Sequence, residues 1–493
     1  MKEATTHRKL VFAGVLLASF MGAIEATIVA TAMPSIAAEL GGFAAFSWVF
    51  SSYLLMQAVT IPIFGKLSDV LGRKPVFVFG VVIFLIGSIL CGLAKSMHML
   101  ILFRFLQGFG AGAVQPIATT LAGDLYALEE RGKIQGYMSG VWGISSILGP
   151  VAGGIIVHSI GWPWVFWVNI PIGIAAVALV VINLQETVER EEKTQIDYAG
   201  ALLLLACLGP LMLALTQSGT WGLNVTLPLI GVSAVAFIMF LQQEKRAPDP
   251  LMALSLWHSP LIRYANIAGL TSGILMIGMV TFLPTFVQGV LGGTALLAGL
   301  TLSVMTVGWP LSAYAAGSRI ARVGVVGFVR FGGLTLMIGS LIVAGFAGTG
   351  ALAAGIGSFI IGIGLGLVNS TMLIAIQSTV AWSQRGVATA TNMLMRILGQ
   401  ALGAALFGGV LNWQMTKWLR HERVESGLSL DSIQELLGDG GRAASTVSAD
   451  VLEVLRDALS RGLHVVFWGI ALFGFITFLV SLRIPELDRE RPN

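Results

Sequence analysis

The stretch MGAIEATIVATAMP, residues 21–34, places an ionisable carboxyl, Glu25, inside an otherwise apolar block. On insertion scales an unpaired charge at the centre of a bilayer costs about 2.5–3.5 kcal/mol, so such a group faces a cavity, carries a proton or has a partner. A carboxyl in that setting can load and release a proton, or bind a sodium ion or an organic cation, once per cycle. Two arginines, Arg104 and Arg396, also interrupt apolar blocks. Arg396 is a candidate partner for Glu25 or an anchor for an anionic head group, and an ion pair between Glu25 and Arg104 is a purely structural alternative. Gln57, Gln115, Trp142 and Asn369 are candidates to line a cavity, although isolated polar residues in apolar helices also serve helix–helix contacts. Asp124, near the end of its block, is expected only to cap a helix or face water.

Other chemistries find no residues to carry them. There is no phosphate-binding G-x-x-x-x-G-K-[ST] loop, no metal cluster and no nucleophile–base pair, so ATP-driven transport and enzymatic turnover are not expected. No cofactor is expected. Cys91 and Cys207 lie in apolar blocks without metal or redox spacing and read as small buried hydrophobes. The formal charge of +4 is scattered through short loops, so nucleic acid is not an expected partner.

The elements that must position these residues follow from composition. Of 493 residues, 56% are hydrophobic and 11% charged, against about a quarter charged in a soluble domain. The apolar residues come in blocks of roughly 20, enough to cross about 30 Å of hydrocarbon as α-helix, with no alternating strands for a barrel. The blocks predict spans at 10–34, 46–65, 75–94, 99–121, 134–157, 163–183, 197–216, 221–241, 262–288, 294–317, 328–347, 350–376, 386–411 and 463–484. The first is too long for a signal peptide and reads as a retained helix.

Loops after even-numbered spans carry Lys66, Arg73, Lys74, Arg131, Lys133, Arg190, Lys193, Lys245, Arg246, Arg319, Arg322 and Arg385, while the short loops opposite carry only Lys95. The positive-inside rule then puts both tails in the cytoplasm and the chain, as a multi-pass protein, in the cytoplasmic membrane. Segment 412–462 is the long exception, with helical stretches such as ADVLEVLRDALSRG, and reads as a solvated external cap.

The chain also repeats itself. QGFGAGAVQ (107–115) matches IGIGLGLVN (361–369) at an offset of 254, and the same offset carries Arg131-Gly132 onto Arg385-Gly386, Gly149 onto Gly403 and Gly154 onto Gly408. GKLSDVLG (65–72) matches GSRIARVG (317–324) at an offset of 252. Spans 1–6 and 9–14 are therefore parallel units, separated by two inserted spans, an arrangement that rocks about a central site in alternating access. The expected division is 1–190 for the first six-helix bundle, 191–250 for the insertion, and 251–493 for the second bundle with the 412–462 loop. Span 9, GILMIGMVTFLP, has no acid matching Glu25.

GKLSDVLGRKP (65–75) resembles the loop signature of the major facilitator superfamily, with Val70 where that family usually has a basic residue. Physically, Gly65 and Gly72 permit close approach and a tight turn, Asp69 can cap a neighbouring helix N-terminus or pair with a nearby arginine, and the group would latch the cytoplasmic side; that Arg73 and Lys74 only anchor the topology explains the charges but not the glycine–aspartate spacing. GYMSGVWGISSILGPVAGG (136–154) is similar to the antiporter motif of proton-coupled drug exporters, through Gly136, Gly149, Pro150, Gly153 and Gly154, with Ser145 in place of a usual glycine. Small residues there allow backbone-to-backbone packing and Pro150 a bend where the bundles meet. RFLQGFGAG (104–112) resembles the family's arginine motif, which links Arg104 to proton coupling, and GWPWVFWVNIPIG (161–173) resembles span 6 of the fourteen-span drug/proton antiporter group. That group commonly has Asp-x-Thr-x-Val in span 1, where this chain has Glu25-Ala26-Thr27-Ile28-Val29.

The resemblance implies an all-α membrane protein of the major facilitator fold with 14 transmembrane helices, two six-helix bundles plus two inserted helices. It implies a secondary active exporter of amphipathic, often cationic, compounds, coupled to the proton gradient through Glu25 and Arg104. Substrate, protons and the bilayer would be its partners, with no obligatory protein partner. A lipid flippase, or an exporter of a lipid-linked metabolite using Arg396 for a head group, is the alternative; a non-transporting receptor is a third.

Overall fold

In hydrocarbon every backbone N–H and C=O must be satisfied within the chain, and long helices do so locally. The computed structural model describes residues 7–40, 46–126, 128–186, 197–247, 250, 254–293, 295–421 and 449–485, and these residues hold helices and no strands. The first unit contains α1 (Arg8–Leu40), α2 (Phe46–Leu71), α3 (Arg73–Gly92), α4 (Met97–Leu125), α5 (Leu128–Ser159), and the pair α6 (Pro163–Trp167) and α7 (Asn169–Asn183). A hairpin follows, α8 (Tyr198–Trp221) and α9 (Leu223–Arg246). The second unit contains α10 (Pro260–Gly289), α11 (Ala295–Val323), α12 (Val325–Phe346), α13 (Ala351–Leu365), α14 (Thr371–Thr379), α15 (Arg385–His421) and α16 (Ala449–Leu482). A π-helical turn, Gly366–Ser370, joins α13 to α14 in one span.

Each of the fourteen expected spans coincides with a helix or a collinear pair. Eleven are long and apolar enough to cross a membrane among the described residues. Helix α15 continues to His421 and α16 starts at Ala449, so helix occupies much of the expected 412–462 loop. Residues 422–448, Arg190 and Lys193 lie outside the described residues.

The internal repeat holds at the level of contacts. In α4 a methyl on Gly108, Gly110 or Gly112 would overlap Tyr53 of α2, Phe84 of α3 and Thr60 of α2, respectively. In α13 and the turn after it, Gly362, Gly364 and Gly366 stand in the same way against Met305, Leu336 and Ser312. The partners are related by one shift: 305 − 53, 336 − 84 and 312 − 60 are all 252. Gly72 (φ 94°) and Gly324 (φ 89°), also 252 apart, cap α3 and α12 in the backbone region that glycine adopts without a Cβ clash.

The two units meet through α2 against α15 and α5 against α11, two contacts that the repeat interchanges, since α2 corresponds to α11 and α5 to α15. Helices α1 and α10 pack chiefly within their own units. The α8–α9 hairpin is held together by Asp197, which accepts from Gly200 N (2.8 Å) and Gln243 Nε2 (2.9 Å), and α8 leans on both α2 and α15. Outer residues of α9 such as Leu223 and Leu227 stay exposed, as lipid-facing side chains do.

Candidate functional site

Glu25, nearly five turns into α1, has no exposed surface. Its Oε1 receives Arg104 Nη1 of α4, and its Oε2 accepts from Asn169 Nδ2 of α7 at 2.6 Å. Arg104 has further partners: Nε donates to the Val49 carbonyl (3.0 Å), Nη1 to Gln107 Oε1 (2.6 Å), and the guanidinium lies 4.2 Å from the ring centre of Tyr53. Gln107 Nε2 in turn donates to Ser88 Oγ of α3 (2.8 Å). Removing one member of a buried pair of this kind costs about 3–5 kcal/mol, because a charge is left without compensation. The arrangement lets the pair take a proton differently: if Glu25 is neutralised, Arg104 keeps a carbonyl, an amide oxygen and an aromatic face.

The sequence brought out Glu25 and Arg104 and missed Asn169, Gln107 and Tyr53. Gln107 and Asn169 stand inside two of the recognisable motifs, RFLQGFGAG and GWPWVFWVNIPIG, which was the available signal.

The 65–75 loop forms a second cluster at the end of the molecule carrying the basic loops. Asp69 fulfils both readings open to it: it accepts from Gly386 N (3.0 Å) and Val387 N (2.9 Å) at the start of α15, and it pairs with Arg73 Nη1 at 2.5 Å. Arg73 also reaches Asp124 Oδ2 (3.3 Å) and the Trp382 carbonyl (3.2 Å), with its guanidinium 4.5 Å from the centre of the Trp382 ring. Asp124, expected only to cap or face water, instead bridges the units by accepting from Arg385 Nη1 (3.0 Å). Gly65 lies so close to Gly386 and Ala390 that a side chain would not fit. Gln377 Nε2 of α14 adds a bond to the Thr119 carbonyl of α4 (3.5 Å). Among the described residues, hydrogen bonds join the two units at this end through Arg73, Asp69, Arg385 and Gln377.

The glycine motif of α5 divides. Gly149 touches Thr27 of α1, whose Oγ1 donates to the Ser145 carbonyl at 3.0 Å, so this glycine sets the α1–α5 crossing two residues beyond Glu25. Gly136 and Gly143 face Tyr314 and Thr306 of α11 across the boundary between units. Gly153 is buried, Gly154 has open space around it, and Pro150 lies within the continuous α5.

The expected cavity residues are spread over both units. Gln115 of α4 lies against Gly22, one turn before Glu25, with Nε2 buried and unpartnered. Gln57 is buried on α2, and Trp142 on α5 is 41% exposed. Asn369, in the π-helical turn, accepts from Ser272 Oγ of α10 (3.1 Å) and donates to the Leu365 carbonyl (3.1 Å). Arg396 of α15 is not the partner of Glu25, whose two oxygens are taken by Arg104 and Asn169; its Nε is buried without an acceptor. Cys91 and Cys207 are buried free thiols.

Comparison with known proteins agrees with this architecture. The model of the Major Facilitator Superfamily matches residues 15–404. The chain is 36% identical over 459 residues to Multidrug resistance protein 3 of Bacillus subtilis, covering 92% of this chain and 87% of that protein. It is 34% identical to the multidrug transporter protein MdtP of the same organism, covering 98% and 95%. Among solved structures, the human organic anion transporter MFSD10 superposes with a TM-score of 0.67 at 15% identity, over 96% of this chain and 99% of that one. The proton:xylose symporter XylE gives 0.63 at 13%, over 97% and 96%. At those identities the structures speak for the fold alone. A family model spanning most of the sequence, relatives covering nearly its whole length and a duplicated bundle of membrane-crossing helices together establish that the chain is a transporter of the major facilitator superfamily.

Proposed function

We propose that this protein is a proton-coupled exporter of amphipathic compounds, cationic ones among them, in the cytoplasmic membrane. The resemblance to two Bacillus multidrug proteins supports drug export. The observation that carries the coupling is Glu25 itself. Within the fourteen expected spans the sequence places two acids, Glu25 and Asp197, and Asp197 is the first residue of its span. A buried carboxylate held by Arg104 and Asn169, with Arg104 supplied with alternative partners, is suited to taking a proton without stranding a charge. The proton gradient is then the energy source and no cofactor is needed.

In this reading the basic end is cytoplasmic, the tails lie there, and the sealed conformation opens to the opposite face. The halves 1–190 and 251–493 rock about a centre to which Gln57, Gln115, Trp142, Asn369 and Arg396 contribute substrate contacts. A proton arriving at Glu25 from outside loosens its pair with Arg104 and lets substrate leave. Loss of that proton to the cytoplasm restores the carboxylate, for which a lipophilic cation can compete. Asp69 and Arg73, with Gly65 and Gly72, latch the cytoplasmic side; the α5 motif with Gly149, Pro150, Gly153 and Gly154 sets the pivot.

The test is proton movement in proteoliposomes loaded with a pH-sensitive dye, with ethidium added to the wild type and to Glu25→Gln. Release from the wild type and none from the variant is expected. Equal release from both removes Glu25 from coupling. The unpartnered Arg396 favours one further reading, movement of an anionic lipid or lipid-linked metabolite, and lipid transfer in drug-free vesicles distinguishes it.

A further inference from the structure

Arg396 sits about eleven residues along α15, which at 1.5 Å per residue places it near the middle of the span. A guanidinium is always charged and has five donors. This one has no hydrogen bond or ion pair among the described residues, and its Nε is shut from solvent without an acceptor. No other acid is available to it within the spans, since Glu25 is fully engaged. Charge at that depth is maintained where it faces a cavity or meets a counter-charge.

The faces of α15 fix where the side chain lies. Ala390 meets α2, Ile397, Leu398, Ala401 and Leu402 meet α2 and α8, and Gly399 and Gly403 meet α10. Thr389, Arg396 and Gln400 follow one another at helical spacing along the edge of the α10 face nearest α2, and the Arg396 carbonyl itself lies against Gly273 of α10. Thr389 accepts from Gln377, which itself bonds across to α4. Gln400, one turn beyond Arg396, reaches Met276 Sδ of α10 (3.8 Å), and one turn before Met276, Ser272 bonds Asn369. Arg396 therefore lies one turn from Gln400, whose side chain reaches α10, without bonding to it. One turn before it, Asn392 donates to Asn266 Oδ1 (3.1 Å), leaving Asn266 Nδ2 as a second buried donor without an acceptor.

The repeat supplies the other side. Arg396 and Trp142 are equivalent at the offset of 254, and the crossings that hold them correspond: α5 against α1 through Gly149, and α15 against α10 through Gly403. One unit presents an indole at this position and the other a guanidinium.

We propose that Arg396, with Asn266, Gln400 and Asn369 beside it, binds the anionic group of an amphiphile whose apolar body lies toward Trp142. The substrates of the exporter proposed above, on which this inference rests, then include acidic and zwitterionic amphiphiles. A carboxylate, sulfonate or phosphate satisfies the donors equally, whether it comes from a soluble acid or a lipid head group.

The experiment uses the full chain in phosphatidylcholine nanodiscs and two fluorescent probes with one aromatic body, 8-anilinonaphthalene-1-sulfonate and neutral N-phenyl-1-naphthylamine. A hydrogen-bonded charge of this kind corresponds to roughly tenfold to a hundredfold in affinity. The wild type should favour the sulfonate by that factor, Arg396→Gln should lose the preference while binding the neutral probe as before, and Arg396→Lys should keep part of it. A preference retained in Arg396→Gln, or absent from the wild type, overturns the proposal. If Arg396→Gln does not fold, the wild-type ratio and Arg396→Lys decide. Adding phosphatidylglycerol separates the sources: Arg396-dependent displacement of the sulfonate identifies a lipid head group, and undiminished binding identifies a soluble acid. Sulfonate binding without substrate-driven proton movement would leave the site standing and overturn the exporter; proton movement without sulfonate preference would do the reverse.

Discussion

The two units share one architecture and treat charge in opposite ways. In the first, Glu25 meets Arg104 and Asn169, and Arg104 is held further by Val49, Gln107 and Tyr53. In the second, Arg396 has a buried Nε with no acceptor. Duplication supplied the same helix crossings twice, and the polar residues on them then diverged. In the proposed reading, the satisfied pair stores a charge that a proton can cancel and the unsatisfied arginine is completed by a ligand.

The comparison breaks most readily at the pairs themselves. Arg104→Ala should destabilise the protein by about 3–5 kcal/mol by stranding Glu25, read as a fall in thermal unfolding temperature in detergent. Neutralising both with Glu25→Gln and Arg104→Gln should recover most of that loss. Arg396→Ala strands no partner and should be neutral or stabilising; equal losses at Arg104 and Arg396 would remove the contrast.

Matched glycines sharpen the likeness instead. Gly112→Leu and Gly366→Leu would press on Thr60 and Ser312 and should each cost about 1–3 kcal/mol, the magnitude of overpacking, in the same unfolding assay. A large cost at only one of them would show that the repeat is not mechanically equivalent.

The seal should respond less. Asp69→Asn removes a carboxylate from the α15 N-terminus, worth about 1 kcal/mol, while Arg73 keeps Asp124 as its counter-charge. Maleimide labelling of Ala390→Cys, buried against Gly65, should then accelerate several-fold as the basic end opens more often. The smallest effect belongs to the exposed pair between Arg8 and Glu130 (3.0 Å), where Arg8→Ala should change stability by less than about 1 kcal/mol.

Much of this was legible in the residues. Blocks of apolar sequence mark helices because the bilayer sets one length for all of them, so the fourteen spans fell at their places. Glycines at a fixed offset reported the repeat because close helix crossings admit no larger side chain. Glu25 and Arg104 stood out because charge is costly in hydrocarbon.

Partners distant in the chain left no such mark. Asn169 lies 144 residues from Glu25, and nothing in local periodicity distinguishes it from a helix-capping asparagine. Asp124 looked like a helix-end residue until Arg73 and Arg385 arrived from two other helices. The π-helical turn at Gly366–Ser370 is a local slip of the backbone within a glycine-rich run that reads as ordinary helix.

The inserted hairpin has a mechanical consequence. Its own two helices are fastened by directional bonds, Asp197 to Gln243 and Ser233 to the Cys207 carbonyl (2.8 Å). Where α8 rests on its neighbours the meeting side chains are apolar: Leu208, Leu211 and Met212 against Leu55 and Ala58 of α2 and against Ile397, Leu398, Ala401 and Leu402 of α15. Helices α2 and α15 belong to different units, so a body touching both could not travel with each in the proposed rocking. If the units rock as proposed, such greasy surfaces without fixed register let the hairpin serve as a sliding bearing along the seam, stiff in itself and slippery where it touches.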